Sequence, residues 1–409
     1  MAEIFTLEVL PARKGDCLLI HYGDTAAPKL VIVDGGPSQV YQSALRPRLE
    51  ELHKERALDR RDALPVELLL VSHLDDDHIN GVLELAEELE NDRRLHQPAL
   101  LSIQTLWHNS FDEIIGNNPP QLDMPETAAL ASFGMSQIPN GTDHDIEKVL
   151  ASIAQGHRMR KKAEFLKWEI NAPFVDLVMN EGAVSPEIDR FGGGLTVTVL
   201  GPMLKQLAKL QKKYDKFLAD KEIGRENPEA ALATLSKDRS VANLSSIAAL
   251  FALGGKRILL TGDALGEDIL AALSERGLAS EAEPLQIDIL KMQHHGSDRN
   301  VTPEFFRRIK ARHYVFCGDG EHGNPERQTL EWLFAGHSGE AITLHFTYPI
   351  DVIDAERRVE AEKKNGWVEE RDSLRALFDT EATASRVFEV STPISGGTIR
   401  IGLMPEASV

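Results

Sequence analysis

A cluster of histidines and aspartates between residues 72 and 78 has the composition of a metal site. His73, Asp75 and Asp77 alternate along the chain, and His78 follows Asp77 directly. On a loop, this spacing lets two side chains turn toward one cation and two toward its neighbour. Imidazole nitrogen and carboxylate oxygen are ligands that Zn²⁺, Mn²⁺ and Fe²⁺ take in proteins. An acidic helix N-terminus would explain the aspartates but not the two histidines, so we predict a metal site.

Other ionisable residues follow the ends of predicted strands. Four apolar runs end this way: 30–33 before Asp34, 66–71 before His73, 256–260 before Asp263 and 286–292 before His294. A single aspartate after a strand is more often a turn former or a helix cap. Ligand sites in layered α/β folds nevertheless gather at strand ends. Four such ends, taken with the cluster, therefore predict one shared site.

The elements between these motifs predict a layered α/β fold with a mixed sheet, because strands and helices alternate through both hairpins and crossovers. Helices are expected, among others, at 39–58, 79–89, 145–155 and 160–170. We predict one catalytic domain over 1–348. Two insertions, at about 110–190 and 205–240, lie between metal motifs and could cover the mouth of the site; the second would hold helices at 205–220 and 227–237. Residues 349–409 are expected to form a C-terminal extension packed on the domain.

The composition limits the possible partners. A net charge of −19 disfavours nonspecific coating of nucleic acid, which requires many Lys and Arg residues. It leaves room for an enzyme acting on phosphodiesters, because bound cations can supply the attraction. Cys17 and Cys317 give no disulfide framework and no secretory leader is evident, so we expect a cytoplasmic protein. No apolar run approaches the roughly 18 residues that span a bilayer, so no membrane partner is expected.

Taken together, the motifs resemble those of metallo-β-lactamase-fold hydrolases. Residues 73–78 resemble the HxHxDH signature in an HxDxDH variant, and 72–81 are similar to the SHxDxDHxGG segment in the hydrolase domain of ComEC-type DNA-uptake proteins. Further similar segments follow in the family's order: 31–36 for the first motif, 243–246 for the NxxS strand, 257–264 for LLTGD and 290–297 for LKxxHHGS. The resemblance covers roughly 3–90 and 195–335. It implies an αββα sandwich of two mixed β-sheets flanked by helices.

The resemblance also implies a role for each matching residue. His73 and Asp75 would hold one metal ion, and Asp77 and His78 would hold a second. Asp263 would bridge the two ions. The resemblance therefore implies two divalent cations, Zn²⁺ or Mn²⁺, as cofactors.

One histidine of the 294–295 pair would complete the second metal site. We favour His294 as this ligand and His295 as a group that contacts the substrate or orients a ligand, although the sequence alone does not decide between them. Asp34 would orient a ligand histidine. Residues 321–325 resemble the family's YGHP segment with its order altered, and either His322 approaches the substrate or it is a simple loop histidine. Catalytic roles are thus expected for Asp77, His295 and His322.

The chain departs from the family pattern at two places. Asp75 stands where many members have a histidine, and a carboxylate is a harder ligand that favours Mn²⁺ over Zn²⁺. The usual histidine of the third motif is not evident. His108, which follows the predicted strand 103–107, is the first candidate for it. His144 and His157 are weaker candidates, and for each of the three an ordinary surface histidine is the alternative.

We expect a metal-dependent hydrolase in which two ions activate a hydroxide. A phosphodiesterase or nuclease acting on nucleic acid or a nucleotide is favoured, because the most similar motifs belong to a domain implicated in DNA degradation. Basic runs at 158–162 and 205–216 point the same way, although a solvated helix face is the alternative for the second. A small-molecule ester or lactone hydrolase is the second hypothesis, since one fold serves many substrates. A metal-stabilised binding or regulatory module is the third, disfavoured because nearly all ligands are present.

Overall fold

The fold is built from two mixed β-sheets of seven strands each within the described part of the chain. The computed structural model describes these stretches: 2–109, 144–208, 245–337, 341–364, 366–384, 386–393 and 397–405, without the side chains of 144–154 and 184. The strands are β1 (Glu3–Val9), β2 (Leu18–Asp24), β3 (Lys29–Val33), β4 (Leu64–Leu70), β5 (Leu101–Trp107), β6 (Glu169–Ile170), β7 (Thr196–Gly201), β8 (Ala248–Leu253), β9 (Lys256–Leu260), β10 (Leu285–Lys291), β11 (Ile309–Phe316), β12 (Ile342–Phe346), β13 (Phe388–Ser391) and β14 (Ile399–Gly402).

The two sheets repeat one topology. The first has the order β14-β1-β2-β3-β4-β5-β6, and the second has the order β13-β12-β11-β10-β9-β8-β7. In each sheet, three strands meander antiparallel, β1 to β3 or β7 to β9, and parallel strands follow. β4 and β10 therefore occupy equivalent places, and they share the same alternation of buried and exposed positions. The loops that follow these two strands carry the histidine motifs, so the fold brings the motifs to one edge.

Helices cover the outer faces of both sheets. They are α1 (Arg46–Glu55), α2 (Asp76–Arg94), α3 (His144–Leu166), α4 (Gly266–Glu275), α5 (Pro303–Arg308), α6 (Arg327–Gly336), α7 (Ile350–Glu362), α8 (Glu369–Asp372) and α9 (Leu374–Thr383). Among the described residues, no helix combines the length and the apolar character needed to cross a membrane.

Three layers of apolar side chains hold the sandwich together. A central layer, with Val31 and Ile289 among its members, fills the space between the sheets. One outer layer packs the first sheet against α1, α2 and α3. The other packs the second sheet against helices that include α4, α6 and α9. Because strands such as β2 and β3 bury side chains on both faces, their sequences are nearly continuous in apolar residues. This helix–sheet–sheet–helix arrangement confirms the predicted αββα sandwich.

Several predicted boundaries were wrong. The helix predicted at 39–58 is a π-helical turn, Tyr41–Leu45, that leads into α1. α2 begins at Asp76 rather than 79, because its positive N-terminal dipole tolerates acidic residues there. The two helices predicted at 145–155 and 160–170 form the single helix α3, which ends before Lys167 turns left-handed at φ 63°.

The two insertions and the extension are described in part. Residues 110–143 of the first insertion and 209–240 of the second lie outside the described residues, as do most of the helix predicted at 205–220 and all of the one at 227–237. The C-terminal extension contributes an edge strand to each sheet: β14 pairs with β1, and β13 pairs with β12.

Candidate metal centre

The metal motifs meet where the loops after β3, β4, β9 and β10 converge. Close packing of glycines sets the position of α2 in this region. A Cβ on Gly81 would lie 1.9 Å from the carbonyl oxygen of Gly35, so the helix lies directly against the loop after β3. The amide of Gly35 donates to the carbonyl of His78, at 2.9 Å. Because only glycine allows this approach, the sequence at 35 and 81 fixes His78 beside Asp34.

Two histidines lie beside one carboxylate oxygen of Asp263, and an aspartate lies beside one of these histidines; we call the three side chains the His73 group: His73, Asp75 and His294. His73 Nε2 and His294 Nε2 each lie 3.6 Å from Asp263 Oδ2. Asp75 Oδ2 lies 3.8 Å from His73 Nε2. The loop after β4 and the loop after β10 thus face the same aspartate, which follows β9.

A second set, which we call the Asp77 group, lies beside the other oxygen of the same aspartate: Asp77, His78 and His295. His78 Nε2 is 3.5 Å from Asp263 Oδ1, and His295 Nε2 is 3.7 Å from Asp77 Oδ2. One ligand atom from each member lies within 4.8 Å of the others. Asp263 therefore stands between the two groups, with one oxygen toward each.

The histidines of the His73 group are held by neutral partners. His73 Nδ1 lies 3.1 Å from the hydroxyl of Ser72 and 3.3 Å from that of Ser246. His294 Nδ1 lies 2.9 Å from Asn300 Oδ1. These contacts fix each ring and leave Nε2 directed at Asp263.

The histidines of the Asp77 group are held by carboxylates. His78 Nδ1 lies 2.8 Å from Asp34 Oδ2, as expected for Asp34. His295 Nδ1 lies 3.3 Å from Asp16 Oδ1. A carboxylate behind a histidine fixes the tautomer and raises the basicity of the opposite nitrogen.

The residues fit a bound divalent cation. Nε2 of His73, Nε2 of His78 and Oδ1 of Asp263 are buried, and none of them has a hydrogen-bond partner among the described residues. Buried polar atoms are normally satisfied, so their convergence calls for a further group. In a tetrahedron of ligands about 2.1 Å from an ion, neighbouring ligand atoms are about 3.4 Å apart, close to the separations seen here. Imidazole and carboxylate donors suit Zn²⁺ or Mn²⁺.

The structure corrects one assignment. We favoured His294 for the second metal position, beside Asp77 and His78, but His295 lies there and His294 faces His73. Both residues adopt left-handed backbone angles, with φ 46° and 56°. Two consecutive left-handed residues turn neighbouring side chains to different sides of Asp263, which spacing along the chain does not show.

The charges of the two groups differ. Burial and the neighbouring His78 lower the pKa of His73 to about 4. Burial also lowers the pKa of His295, but Asp16 and Asp77 outweigh it and raise the pKa to about 9. For His78, likewise, Asp263 and Asp34 overcome burial and raise the pKa well above its usual value. The Asp77 group thus holds its protons more strongly than His73 does.

Solvent reaches the centre mainly from the side of the His73 group. The side chains of Asp75 and His294 are 33% and 36% exposed and that of Asp77 is 22% exposed, whereas His73, His78, Asp263 and His295 are buried. Asn324 Nδ2 donates to the carbonyl of His294, at 3.1 Å. The loop that carries His322 therefore borders this opening, and the His322 side chain is half exposed.

The remaining histidine candidates lie elsewhere. His108 follows β5 and has a buried side chain, and its backbone pairs with the side-chain amide of Asn171 at 2.8 and 2.9 Å. It belongs to none of the groups of candidate ligands found among the described residues. His157 lies part-exposed on α3. The side chain of His144 is outside the described residues.

Two buried residues of the site were missed in the sequence. Neither Asp16 nor Lys291 was given a role from the sequence. In the structure they form a buried ion pair behind His295. The signal available was weak: Lys291 follows six residues of a mostly buried strand, where a surface lysine is unexpected.

The basic run at 158–162 is neutralised in the structure. Lys162 Nζ lies 2.6 Å from Glu90, Arg160 Nε lies 3.3 Å from Glu164, and Arg158 lies 3.8 Å from Glu87. This part of α3 is therefore a salt-bridged helix face. Apart from residues 205–208, the run at 205–216 lies outside the described residues.

Comparison with family models finds a match over part of the chain. Residues 11–146 match the family model described as "Metallo-beta-lactamase superfamily", a stretch that contains Asp34 and the cluster at 73–78. This supports the resemblance at the level of the superfamily. The similarity to ComEC-type proteins stays a prediction.

The matching curated proteins include microtubule-associated protein 1A. The human protein is 36% identical over 66 residues, which are 16% of this chain and 2% of that protein. The Mus musculus protein is 35% identical over 66 residues, with the same shares. The match thus spans a very small part of these relatives.

Among solved structures, Zn²⁺-bound PqqB from Methylobacterium extorquens aligns over 96% of this chain and 99% of its own, with 12% identity and a TM-score of 0.37.

Proposed function

We propose that this chain is a dinuclear metal-dependent hydrolase whose substrates are phosphodiesters, in nucleic acids or nucleotides. The observation that carries the metal centre is the division of Asp263 between two ligand groups, with one oxygen toward each. The histidines His73, His78, His294 and His295 present Nε2 to the centre and use Nδ1 on a protein partner. This is the arrangement expected of ligands that are oriented in advance.

The His73 group and the Asp77 group would each hold one ion, with Asp263 shared. When bound, two such ions lower the pKa of a water and stabilise negative charge on a phosphoryl group. The chain's own residues then have separate tasks. Asp34 and Asp16 keep the rings of His78 and His295 in place, while the exposed edge at Asp75 and His294 leaves room for a substrate.

Lys14 and His322 lie on the rim of the opening, where both face the carboxylate of Glu321. Lys14 Nζ lies 2.9 Å from Glu321 Oε1, and His322 Nε2 lies 3.7 Å from the same oxygen. The backbone amide of Asp16 approaches the carbonyl of Asp77 at 3.3 Å, so Lys14 belongs to a loop that touches the centre. The preference for phosphodiesters is supported by the motif resemblance and draws no support from Lys14, which is salt-bridged like the run at 158–162.

The test is hydrolysis by purified protein supplied with Mn²⁺ or Zn²⁺. Substrates are bis(p-nitrophenyl) phosphate, single-stranded DNA, double-stranded DNA, p-nitrophenyl acetate and a simple lactone. An Asp77→Ala/His78→Ala variant is the negative control, and a surface change, His53→Ala, is the matched histidine control. We expect metal-dependent cleavage of a phosphodiester that the negative control lacks and the surface variant keeps.

The alternatives give different results. Cleavage of the ester or lactone without phosphodiester cleavage would favour a small-molecule hydrolase. Binding of two ions with no hydrolysis of any substrate would favour a metal-stabilised binding or regulatory module. Failure to bind divalent cations would contradict the proposed centre itself.

A further inference from the structure

A lysine without contact to solvent lies behind the metal centre. Lys291 ends β10 and is 0% exposed. Its ammonium forms an ion pair with Asp16 and donates to the carbonyl of Gly262, at 3.2 Å. Gly262 precedes Asp263, so the lysine joins the loop between β1 and β2 to the loop that carries the shared aspartate.

Asp16 touches each member of the Asp77 group. Its Oδ1 lies 3.3 Å from His295 Nδ1, and its Oδ2 lies 3.8 Å from His78 Nδ1. Its backbone amide lies 3.3 Å from the carbonyl of Asp77. Neighbouring Gly15 has no room for a side chain, because a Cβ there would lie 1.9 Å from that same carbonyl. The glycine at position 15 therefore lets this loop pack directly against the Asp77 group.

The stability of the fold does not by itself explain why this ion pair is buried. Removing two charges from water costs several kcal/mol for each ion, and apolar residues of similar size often stabilise a protein as well or better. The charge balance of the site offers an explanation for the buried pair. With two divalent cations bound, the positive charges of the ions and of Lys291 would together offset the five carboxylates of the site: Asp16, Asp34, Asp75, Asp77 and Asp263.

We propose that Asp16 and Lys291 are a positioning pair that sets the metal affinity of the Asp77 group. Asp16 orients His295 as Asp34 orients His78, and Lys291 holds Asp16 in place and ties it to the loop of Asp263. The inference rests on the dinuclear centre of the proposed function and does not depend on the substrate.

The experiment measures Co²⁺ binding to each group separately, from the visible absorption of the bound ion. His73→Ala isolates the Asp77 group, and Asp77→Ala isolates the His73 group. In each background, Asp16→Leu/Lys291→Met removes the pair while keeping approximate volume and leaving no uncompensated charge. The matched control is Glu8→Leu/Arg48→Met, which removes a buried ion pair with a separation of 2.6 Å at another place. Circular dichroism establishes that each variant is folded.

We expect loss of the pair to weaken Co²⁺ binding about 10- to 100-fold in the His73→Ala background. Binding in the Asp77→Ala background should stay within about threefold, and the Glu8/Arg48 control should leave both groups unaffected.

Three results would overturn the inference. Unchanged affinity of the Asp77 group would show that the pair has no positioning role. Equal weakening of both groups, or equal weakening by the control, would show a general structural effect. Absence of Co²⁺ binding by the chain with no substitution would overturn the proposed centre as well, whereas the first two results leave that centre intact.

Discussion

The two ligand groups share Asp263 but are built in different ways. In the His73 group, hydroxyls and an amide hold Nδ1 of each histidine, and two of the three side chains are about one-third exposed. In the Asp77 group, carboxylates hold both histidines, and both rings are buried. A carboxylate partner makes imidazole a stronger ligand. The comparison predicts that the Asp77 group would hold an ion more tightly than the His73 group, which is nearer to solvent.

Substitution of Asp263, which both groups share, should have the largest effect, because it should weaken metal binding at both groups. Asp263→Asn removes the charge that both ions would share, so both groups should lose affinity. We expect hydrolysis to fall about a thousandfold and metal content, measured by elemental analysis, to fall well below two ions per chain. Asp288→Asn, a matched change on β10, should leave both values unchanged. Full metal content in the Asp263 variant would contradict a bridging role.

The next test compares one carboxylate from each group. Asp77→Asn should weaken the tighter ion about 100-fold, whereas Asp75→Asn should weaken the other ion only about tenfold, because Asp75 is the more exposed of the two carboxylates, at 33% against 22%. Competition with a chelator, followed by elemental analysis, gives both affinities. If the Asp75 change has the larger effect, the order of affinities proposed for the two groups is reversed.

The layered α/β class could be predicted because its determinants are local in the sequence, whereas the sandwich of two sheets was implied by the motif resemblance. Apolar runs such as 66–71 end at ionisable residues, and the cluster at 73–78 is contiguous. The exchange of His294 and His295 could not be predicted, since it depends on two consecutive left-handed residues. The partnership of Asp16 and Lys291 was hidden for another reason: these residues are far apart in the chain, and only the stacking of the two sheets brings them together.

The dependence of metal affinity on pH should also differ between the two groups. A histidine must lose its proton to bind a metal ion. The pKa of His295 is raised to about 9, and that of His78 is also raised, so below pH 9 ion binding at the Asp77 group must expel protons. The pKa of His73 is lowered to about 4, so His73 releases none near neutrality.

Affinity at the Asp77 group should therefore rise up to about tenfold per pH unit for each proton between pH 6 and 9, and then level off. Calorimetric titration in buffers of different ionisation enthalpy, on the His73→Ala and Asp77→Ala variants, counts the protons. The metal-free chain should show the opposite trend. Because folding raises the pKa of His295, its stabilisation is present below about pH 6.5 and is lost as pH rises through 9. A melting temperature that rises over this range would contradict the charge assignment.

The smallest effect concerns the rim beside the His73 group. His322 has φ 65° and lies between Gly320 and Gly323, which are also left-handed. A residue other than glycine in this conformation costs about 1 kcal/mol or more, and such strain concentrates at functional sites. Asn324 links this loop to the carbonyl of His294.

His322→Asn tests the imidazole alone, because asparagine tolerates left-handed angles better than alanine. We expect kcat/KM for bis(p-nitrophenyl) phosphate to fall about two- to fivefold with both metal affinities unchanged, and His53→Asn to have no effect. A change in metal affinity would instead place His322 in the ligand set of the His73 group, and that group would then be less open to substrate than its two exposed side chains indicate.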